Sequence, residues 1–151
     1  MPGKTELTIN CDRKQLVVPG LQAYQQARID IVACCITVFF ITILDGKGCA
    51  VDLSEWGDIC FFLTEEFKGV SLGSQTDQDA LNNGTDWPAA NLAAGTLSMP
   101  FDASSAALKT CLGKQPHVDT IGEIWAEVEP GRKCMIAQFC VRVRNTAATP
   151  E

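Results

Sequence analysis

The apolar stretch at residues 31–44, IVACCITVFFITIL, constrains the fold of this chain more than any other feature of its sequence. It is too short to cross a bilayer as a helix, which takes about 20 residues. Its many β-branched and aromatic residues favour a buried strand. The stretch is followed at residues 45–48 by Asp-Gly-Lys-Gly, where glycine can supply the positive φ of a tight turn. The sequence therefore predicts a buried strand that ends in a tight turn.

Shorter strand candidates recur along the rest of the chain, with turn residues between them. Residues 5–11 and 14–18 alternate polar and apolar side chains, as a strand with one solvated face does. Residues 21–29 are ambiguous, because they suit either a helical turn or the lead-in to the next strand. The remaining strand candidates are residues 58–64, 95–101, 121–129 and 134–144.

One short helix is predicted at about residues 102–112, with Asp102 as its N-cap and Gly113 as its stop. About seven strands and one helix, without alternation of strands and helices, predict an all-β fold, an antiparallel β-sandwich of immunoglobulin-like type. A chain of 151 residues is expected to form one domain. Within it we assign residues 1–26 to N-terminal strands or an arm, residues 27–146 to the sandwich and residues 147–151 to a tail.

Residues 121–129 and 134–144 are expected to form a hairpin with Gly131-Arg132 in its turn. In that register Trp125 faces Gln138 and Glu123 faces Cys140, and one side of the hairpin is uniformly apolar. The opposite side is solvated but partly apolar, which suggests contact with another molecule. The predicted interface residues on that side are Trp125, Cys134, Ile136, Gln138 and Cys140.

Eight cysteines are the unusual part of the composition. They contain no CxxC pair, and the adjacent residues Cys34 and Cys35 would point to opposite faces of a strand, so that both could not line one metal site. No secretory signal follows Met1, so free thiols in a reducing compartment are expected. Most of the cysteines are therefore predicted to be small buried core residues, and no metal is expected. A zinc site and a disulfide framework are the alternatives.

The charge of the chain argues against two classes of partner. With 12 Lys+Arg against 18 Asp+Glu, the net charge of −6 does not suit a nucleic acid or an anionic membrane. His117 is the only histidine, and no nucleophile motif accompanies it, so we interpret it as an ordinary loop residue. No catalytic residue, cofactor or enzymatic activity is predicted.

Residues 69–94 are predicted to form a long loop, and loops of that length are usually functional or flexible. Its oxygen-rich side chains could hold Ca²⁺, but the order of an EF-hand is absent, which favours a solvated loop. Trp56 is expected to cap one end of the sandwich core, whereas Trp87 suits either a loop or a binding platform. The possible ligand residues of this loop are Asp77, Asp79, Asn83, Asp86 and Trp87.

Three stretches carry a resemblance to a known family: DGKGCAVDLSEWGDICFFLT, GTLSMPFDASSAALKTCLG and EIWAEVEPGRKCMIAQFCVRVRNT. Over about residues 35–146 the chain resembles an immunoglobulin-like β-sandwich module of phage and prophage structural proteins. It is similar to the N-terminal domain of upper baseplate or tail-fibre proteins. The many cysteines and the insertion at residues 69–94 depart from that pattern. The resemblance supplies no catalytic residues.

The resemblance implies a non-enzymatic structural protein of a phage or prophage particle, in its tail, baseplate or fibre. Such a protein would act through self-association as a homo-oligomer and through docking on other particle proteins. It would be present in the cytoplasm of the bacterial host during assembly and then in the virion, without a signal peptide, nucleic-acid binding or membrane insertion. The alternative is a carbohydrate- or ligand-binding β-sandwich module that uses the loop at residues 69–94.

Overall fold

The computed structural model describes residues 3–17, 28–65, 70–76 and 92–146. These residues form nine strands, one α-helix and a short 3-10 turn at Leu92–Ala94. The elements are β1 (Gly3–Asn10), β2 (Gln15–Leu16), β3 (Arg28–Val32), β4 (Ile36–Leu44), β5 (Gly57–Glu65), β6 (Val70–Thr76), β7 (Thr96–Asp102), α1 (Ala106–Leu112), β8 (His117–Glu129) and β9 (Arg132–Arg144).

The strands form two sheets that pack face to face. The smaller sheet has the order β2-β1-β4-β7, and the larger sheet has the order β3-β9-β8-β5-β6. The predicted all-β sandwich is confirmed. The expectation that all strands pair antiparallel is wrong for two pairs, because β1 runs parallel to β4 and β3 runs parallel to β9. A pattern of apolar side chains shows which face of a strand is buried, and it does not show the direction of the neighbouring strand.

The apolar stretch at residues 31–44 contributes to two strands in different sheets. Here the prediction of one continuous strand is wrong, because β3 ends at Val32 and β4 begins at Ile36. Between them the chain turns at Cys34, whose φ is +63°, and passes from the larger sheet to the smaller one. A continuous apolar run conceals such a turn, since the residues on both sides of the turn are apolar and the turn carries no glycine or proline.

Four phenylalanines join the two sheets at the centre of the core. Phe39 and Phe101 belong to the smaller sheet, and Phe61 and Phe139 belong to the larger one. The ring centroids of Phe39 and Phe61 are 4.9 Å apart, and those of Phe61 and Phe101 are 5.0 Å apart. Burial of each such side chain stabilises the fold by roughly 1.5–3 kcal/mol.

The tight turn after β4 forms as predicted. Asp45 Oδ1 accepts hydrogen bonds from the amides of Lys47 at 2.8 Å and Cys49 at 3.0 Å. These bonds lower the pKa of Asp45. Gly48 supplies the positive φ, at +83°.

The helix is shorter at its start than predicted. Asp102 ends β7, and the N-cap is Ser105, whose side chain accepts a hydrogen bond from the amide of Leu108 at 3.2 Å. Gly113 ends the helix as expected, since its amide donates to Lys109 O at 3.0 Å. No helix in the described part of the chain is long and apolar enough to span a membrane.

Two further expectations need correction. Residues 69–94 are not loop throughout, because β6 occupies Val70–Thr76 and pairs with β5. The cysteines are not buried core residues either: Cys34, Cys35 and Cys49 are exposed, and the other five are half-buried. Cys34, Cys35 and Cys49 lie in turns and Cys111 lies in the helix, where apolar neighbours in the sequence do not lead to burial. All eight thiols are free.

Candidate functional site

The solvent side of the larger sheet, which we call the outer face, is the candidate site. Along β8 the residues that point into the core, Ile124 and Ala126, are no more than 1% exposed. Their neighbours Glu123 and Trp125 therefore lie on the opposite side. Cross-strand pairing places the following residues of β5, β8 and β9 on the same side: Cys60, Phe62, Ile121, Glu123, Trp125, Met135, Gln138 and Cys140.

The register of the β8–β9 hairpin differs from the predicted one. Its turn contains Pro130 and Gly131, because Glu129 pairs with Arg132. Gly131 supplies a φ of +78° there. The turn therefore lies one residue earlier than Gly131-Arg132, and most of the hairpin pairs in a shifted register.

Two β-bulges add to the shift in register. Glu123 pairs with Gln138, whereas Trp125 pairs with Met135, so Ile136 is an extra residue on β9. A second bulge lies between Glu127 and Glu129. Bulges turn side chains to the other face of a strand, and regular alternation cannot predict them.

The bulge at Ile136 removes two residues from the predicted interface. Ile136 is only 4% exposed and belongs to the hydrophobic core. Cys134 pairs with Ala126, which places it on the core side of the hairpin. Trp125, Gln138 and Cys140 do lie on the outer face.

Glu123 organises the polar part of the outer face. One of its carboxylate oxygens, Oε1, accepts a hydrogen bond from Trp125 Nε1 at 3.2 Å, and the other, Oε2, accepts one from Gln138 Nε2 at 2.7 Å. The indole of Trp125 is therefore held in a fixed orientation while its ring remains half-buried on the solvent side. Fixed aromatic side chains of this kind are common anchors of protein interfaces.

Phe62 is the residue that the sequence analysis missed. It is 37% exposed and lies directly opposite Glu123, while the adjacent Phe61 is buried in the core. Interpreting residues 58–64 as a fully buried strand concealed this difference. Strict alternation along the strand would have placed the two rings on opposite faces.

Ion pairs border the apolar part of the outer face where β3 joins β9. Arg142 donates to both carboxylate oxygens of Asp119, at 2.8 and 3.2 Å. Arg144 contacts Asp30 at 2.7 Å, and Arg28 contacts the same carboxylate at 3.2 Å. Because of these hydrogen bonds and positive charges, the pKa values of Asp119 and Asp30 are lowered. The outer face thus carries both signs of charge beside its apolar part.

Lys14 secures the bulged part of β9. Its ammonium donates to Met135 O at 2.6 Å, and its own carbonyl accepts from the amide of Gln138 at 3.1 Å. The turn between β1 and β2 therefore contacts β9 beside the bulge. Sequence patterns gave no sign of this contact, since it joins residues far apart in the chain.

The possible ligand residues predicted in the loop at residues 69–94 lie outside the residues that the structure describes: Asp77, Asp79, Asn83, Asp86 and Trp87. Trp56 packs against the core, as expected for a residue that caps its end. His117 is half-buried at the start of β8 rather than in a loop. In the described ranges, no group of three or more His, Cys, Asp or Glu side chains is placed to hold a metal ion.

No protein-family model matches the chain, and no curated protein matches it. Among solved structures, the chain is similar to the N-terminal domain of phage TP901-1 ORF48. The alignment covers 95% of this chain and 98% of that domain, with 9% sequence identity and a TM-score of 0.45. A likeness at this distance does not assign a family or a function.

Proposed function

We propose that this chain is a non-enzymatic structural subunit of a phage or prophage particle, in the tail, baseplate or fibre. It works by associating with copies of itself and by docking on other particle proteins. The observation that carries the proposal is the outer face, where Trp125 and Phe62 present apolar surface to solvent beside a fixed polar group. The sequence resemblance to phage structural modules supplies the class of assembly.

The size of the outer face supports a protein partner. The strands of the larger sheet are 5 to 13 residues long. With about 3.3 Å per residue and about 4.8 Å between strands, the face covers on the order of 700 Å². A stable protein interface buries about 800 Å² on each partner. The face is therefore large enough to hold most of one interface.

The charges on the outer face support a second copy of this chain as the partner. Two copies of a chain with a net charge of −6 repel each other. Pairing of opposite charges across the contact surface offsets that repulsion. Here Asp119 lies beside Arg142, and Asp30 lies between Arg28 and Arg144. A copy placed on this face meets both signs of charge, as a self-complementary interface requires.

The proposed subunit assembles in the cytoplasm of the bacterial host and is then part of the virion. Light scattering of the purified protein over a rising concentration tests the association. We expect the measured mass to increase from one chain to a defined multiple. A mass of one chain at every concentration, together with no binding to the products of neighbouring genes, would overturn the proposal.

A further inference from the structure

Two adjacent thiols lie at the turn that joins the two sheets. Cys34 and Cys35 are both exposed, although the strands on either side contribute buried residues to the core. In a strand, one of two adjacent side chains would point into the sandwich. The turn instead leaves both thiols accessible to solvent.

Hydrogen bonds to both sheets fix the backbone of this turn. The amide of Cys34 donates to Ala103 O at 2.8 Å, and the amide of Ala103 donates to Cys35 O at 3.1 Å. The amide of Ala33 donates to Arg144 O at 2.9 Å. Ala33 and Ala103 are buried, so the backbone is anchored while the thiols remain outside.

Cys34 adopts an uncommon backbone conformation. Its φ of +63° lies in the left-handed region, which residues with a Cβ rarely adopt. A residue in this region turns the chain, so the side chains of Cys34 and Cys35 are not held on opposite sides as those of adjacent strand residues are. Backbone strain that surrounding hydrogen bonds maintain is typical of functional positions.

We propose that Cys34 and Cys35 form a reversible redox site that closes to a disulfide between adjacent residues. The oxidant is a low-molecular-weight disulfide such as glutathione disulfide. One cysteine thiolate attacks it, forming a mixed disulfide and releasing one glutathione thiolate. The second cysteine thiolate then attacks the mixed disulfide and releases the other, so two cysteine thiols are oxidised and one glutathione disulfide is reduced to two thiols.

Such a disulfide is easily reduced, for two reasons. The Cα atoms of adjacent residues are about 3.8 Å apart, whereas those of ordinary disulfides are about 4.4–6.8 Å apart. The bond is therefore strained, and it also lies at the surface. Strained and exposed disulfides are the labile ones that reductants open readily.

The half-buried thiols of the chain are less suited to this reaction. Burial raises the pKa values of Cys11, Cys111 and Cys140. Less thiolate is therefore present at those positions near neutral pH. Cys49 is exposed like the pair but has no adjacent cysteine, which makes it a matched control.

Peptide mapping of the full chain tests the redox site directly. Cleavage after Arg28 and Lys47 gives a peptide of residues 29–47, whose only cysteines are Cys34 and Cys35. After treatment with glutathione disulfide, we expect this peptide to lose two hydrogen atoms and to resist alkylation. An excess of dithiothreitol should restore both thiols.

Variants distinguish the disulfide ring, in which Cys34 and Cys35 of one chain are joined, from other products. In Cys34→Ser and Cys35→Ser the remaining thiol should retain one glutathione, whereas Cys49→Ser should still form the ring. Unmodified thiols, two separate mixed disulfides or a bond between two chains in the wild-type protein would each overturn the proposal. The ring forms within one chain, so its failure would leave the docking surface unaffected.

Discussion

The indole Nε1 of Trp125 donates a hydrogen bond to Glu123 Oε1 at 3.2 Å on the outer face of the larger sheet. The two residues are two positions apart on β8, so their side chains lie on the same face. Glu123 also accepts from Gln138 on β9. One carboxylate thus links two strands and sets the orientation of the aromatic ring that we propose contacts a second copy.

Replacement of Glu123 tests this arrangement. Glu123→Ala should lower the free energy of unfolding by about 1 kcal/mol, because it removes the acceptor of two partly exposed hydrogen bonds. It should also weaken self-association, since the indole is no longer held in place. Urea denaturation and light scattering measure the two effects. Glu129→Ala is the control. Glu129 is exposed, and its ion pair with Arg132, at 3.8 Å on the surface, should contribute little to stability. Equal effects of the two changes would contradict the role of Glu123.

The core side of β8 leaves no room for a side chain at Gly122. A Cβ at this position would lie 2.8 Å from both Phe139 Cε2 and Val141 Cγ2, and 3.2 Å from Phe61 Cε2. Gly122→Ala should therefore lower the free energy of unfolding by about 1–3 kcal/mol through overpacking. Thermal and urea denaturation measure this loss.

A second substitution separates overpacking from a simple change in strand propensity. Val141→Ala removes the methyl group that the new Cβ would meet. The double variant Gly122→Ala with Val141→Ala should therefore be more stable than the sum of the two single effects predicts. Strict additivity would contradict the overpacking explanation.

The helix N-cap gives a prediction on which the sequence analysis and the structure disagree. Ser105→Ala should lower the free energy of unfolding by about 0.5–2 kcal/mol, because the amide of Leu108 loses its acceptor. Ser104→Ala is the matched control, since Ser104 donates to Asp102 and does not cap the helix. A larger loss for Ser104→Ala in urea denaturation would contradict the assignment of Ser105.

The sequence predicts those elements whose structure is determined by the residues within the element itself. The turn at Asp45 and the helix stop at Gly113 follow from the residues present there. The hairpin of β8 and β9 was predicted to within a few residues at each end, and its core face was largely predicted as well. Alternating apolar residues are sufficient to identify such strands.

Other features depend on contacts between distant residues. The parallel pairing of β1 with β4 involves strands that are far apart in the chain. The bulge at Ile136 lies where Lys14 contacts β9, and no pattern near residue 136 indicates it. The turn at Cys34 lies within an unbroken apolar run. The bulge is the reason that the predicted interface contained Ile136 and Cys134. Phe62 was missed for a local reason, because residues 58–64 were interpreted as a buried strand.

Acid should weaken the ion pairs between β3, β8 and β9. The pKa values of Asp119 and Asp30 are lower in the folded protein than in the unfolded chain, because Arg142 and Arg144 donate to these carboxylates. Their stabilisation is therefore fully present above the unfolded pKa and is lost as the pH falls through the folded pKa. We expect this loss below about pH 4.

Asp119→Asn tests the pH dependence. This variant lacks one of the titrating carboxylates, so its urea midpoint should change less than that of the wild type between about pH 6 and about pH 3. Asp52→Asn serves as a comparison, because the lowered pKa of Asp52 arises from hydrogen bonds with Ser54 rather than from an arginine. Added salt should reduce the difference between wild type and Asp119→Asn, since these pairs are exposed. If the urea midpoints of the wild type and Asp119→Asn changed equally with pH, the ion pair would not contribute to the pH dependence of stability.

The proposed self-association through the outer face is tested most directly by sedimentation velocity of the wild type, Phe62→Glu and Val17→Glu. Phe62 is 37% exposed on the outer face, and Val17 is 45% exposed after β2 in the smaller sheet. Both changes place a charge on an exposed apolar residue. We predict that the wild type and Val17→Glu form the same oligomer, while Phe62→Glu remains a folded monomer at the same concentration. A monomeric wild type, or a Phe62→Glu variant that associates as the wild type does, would contradict the account.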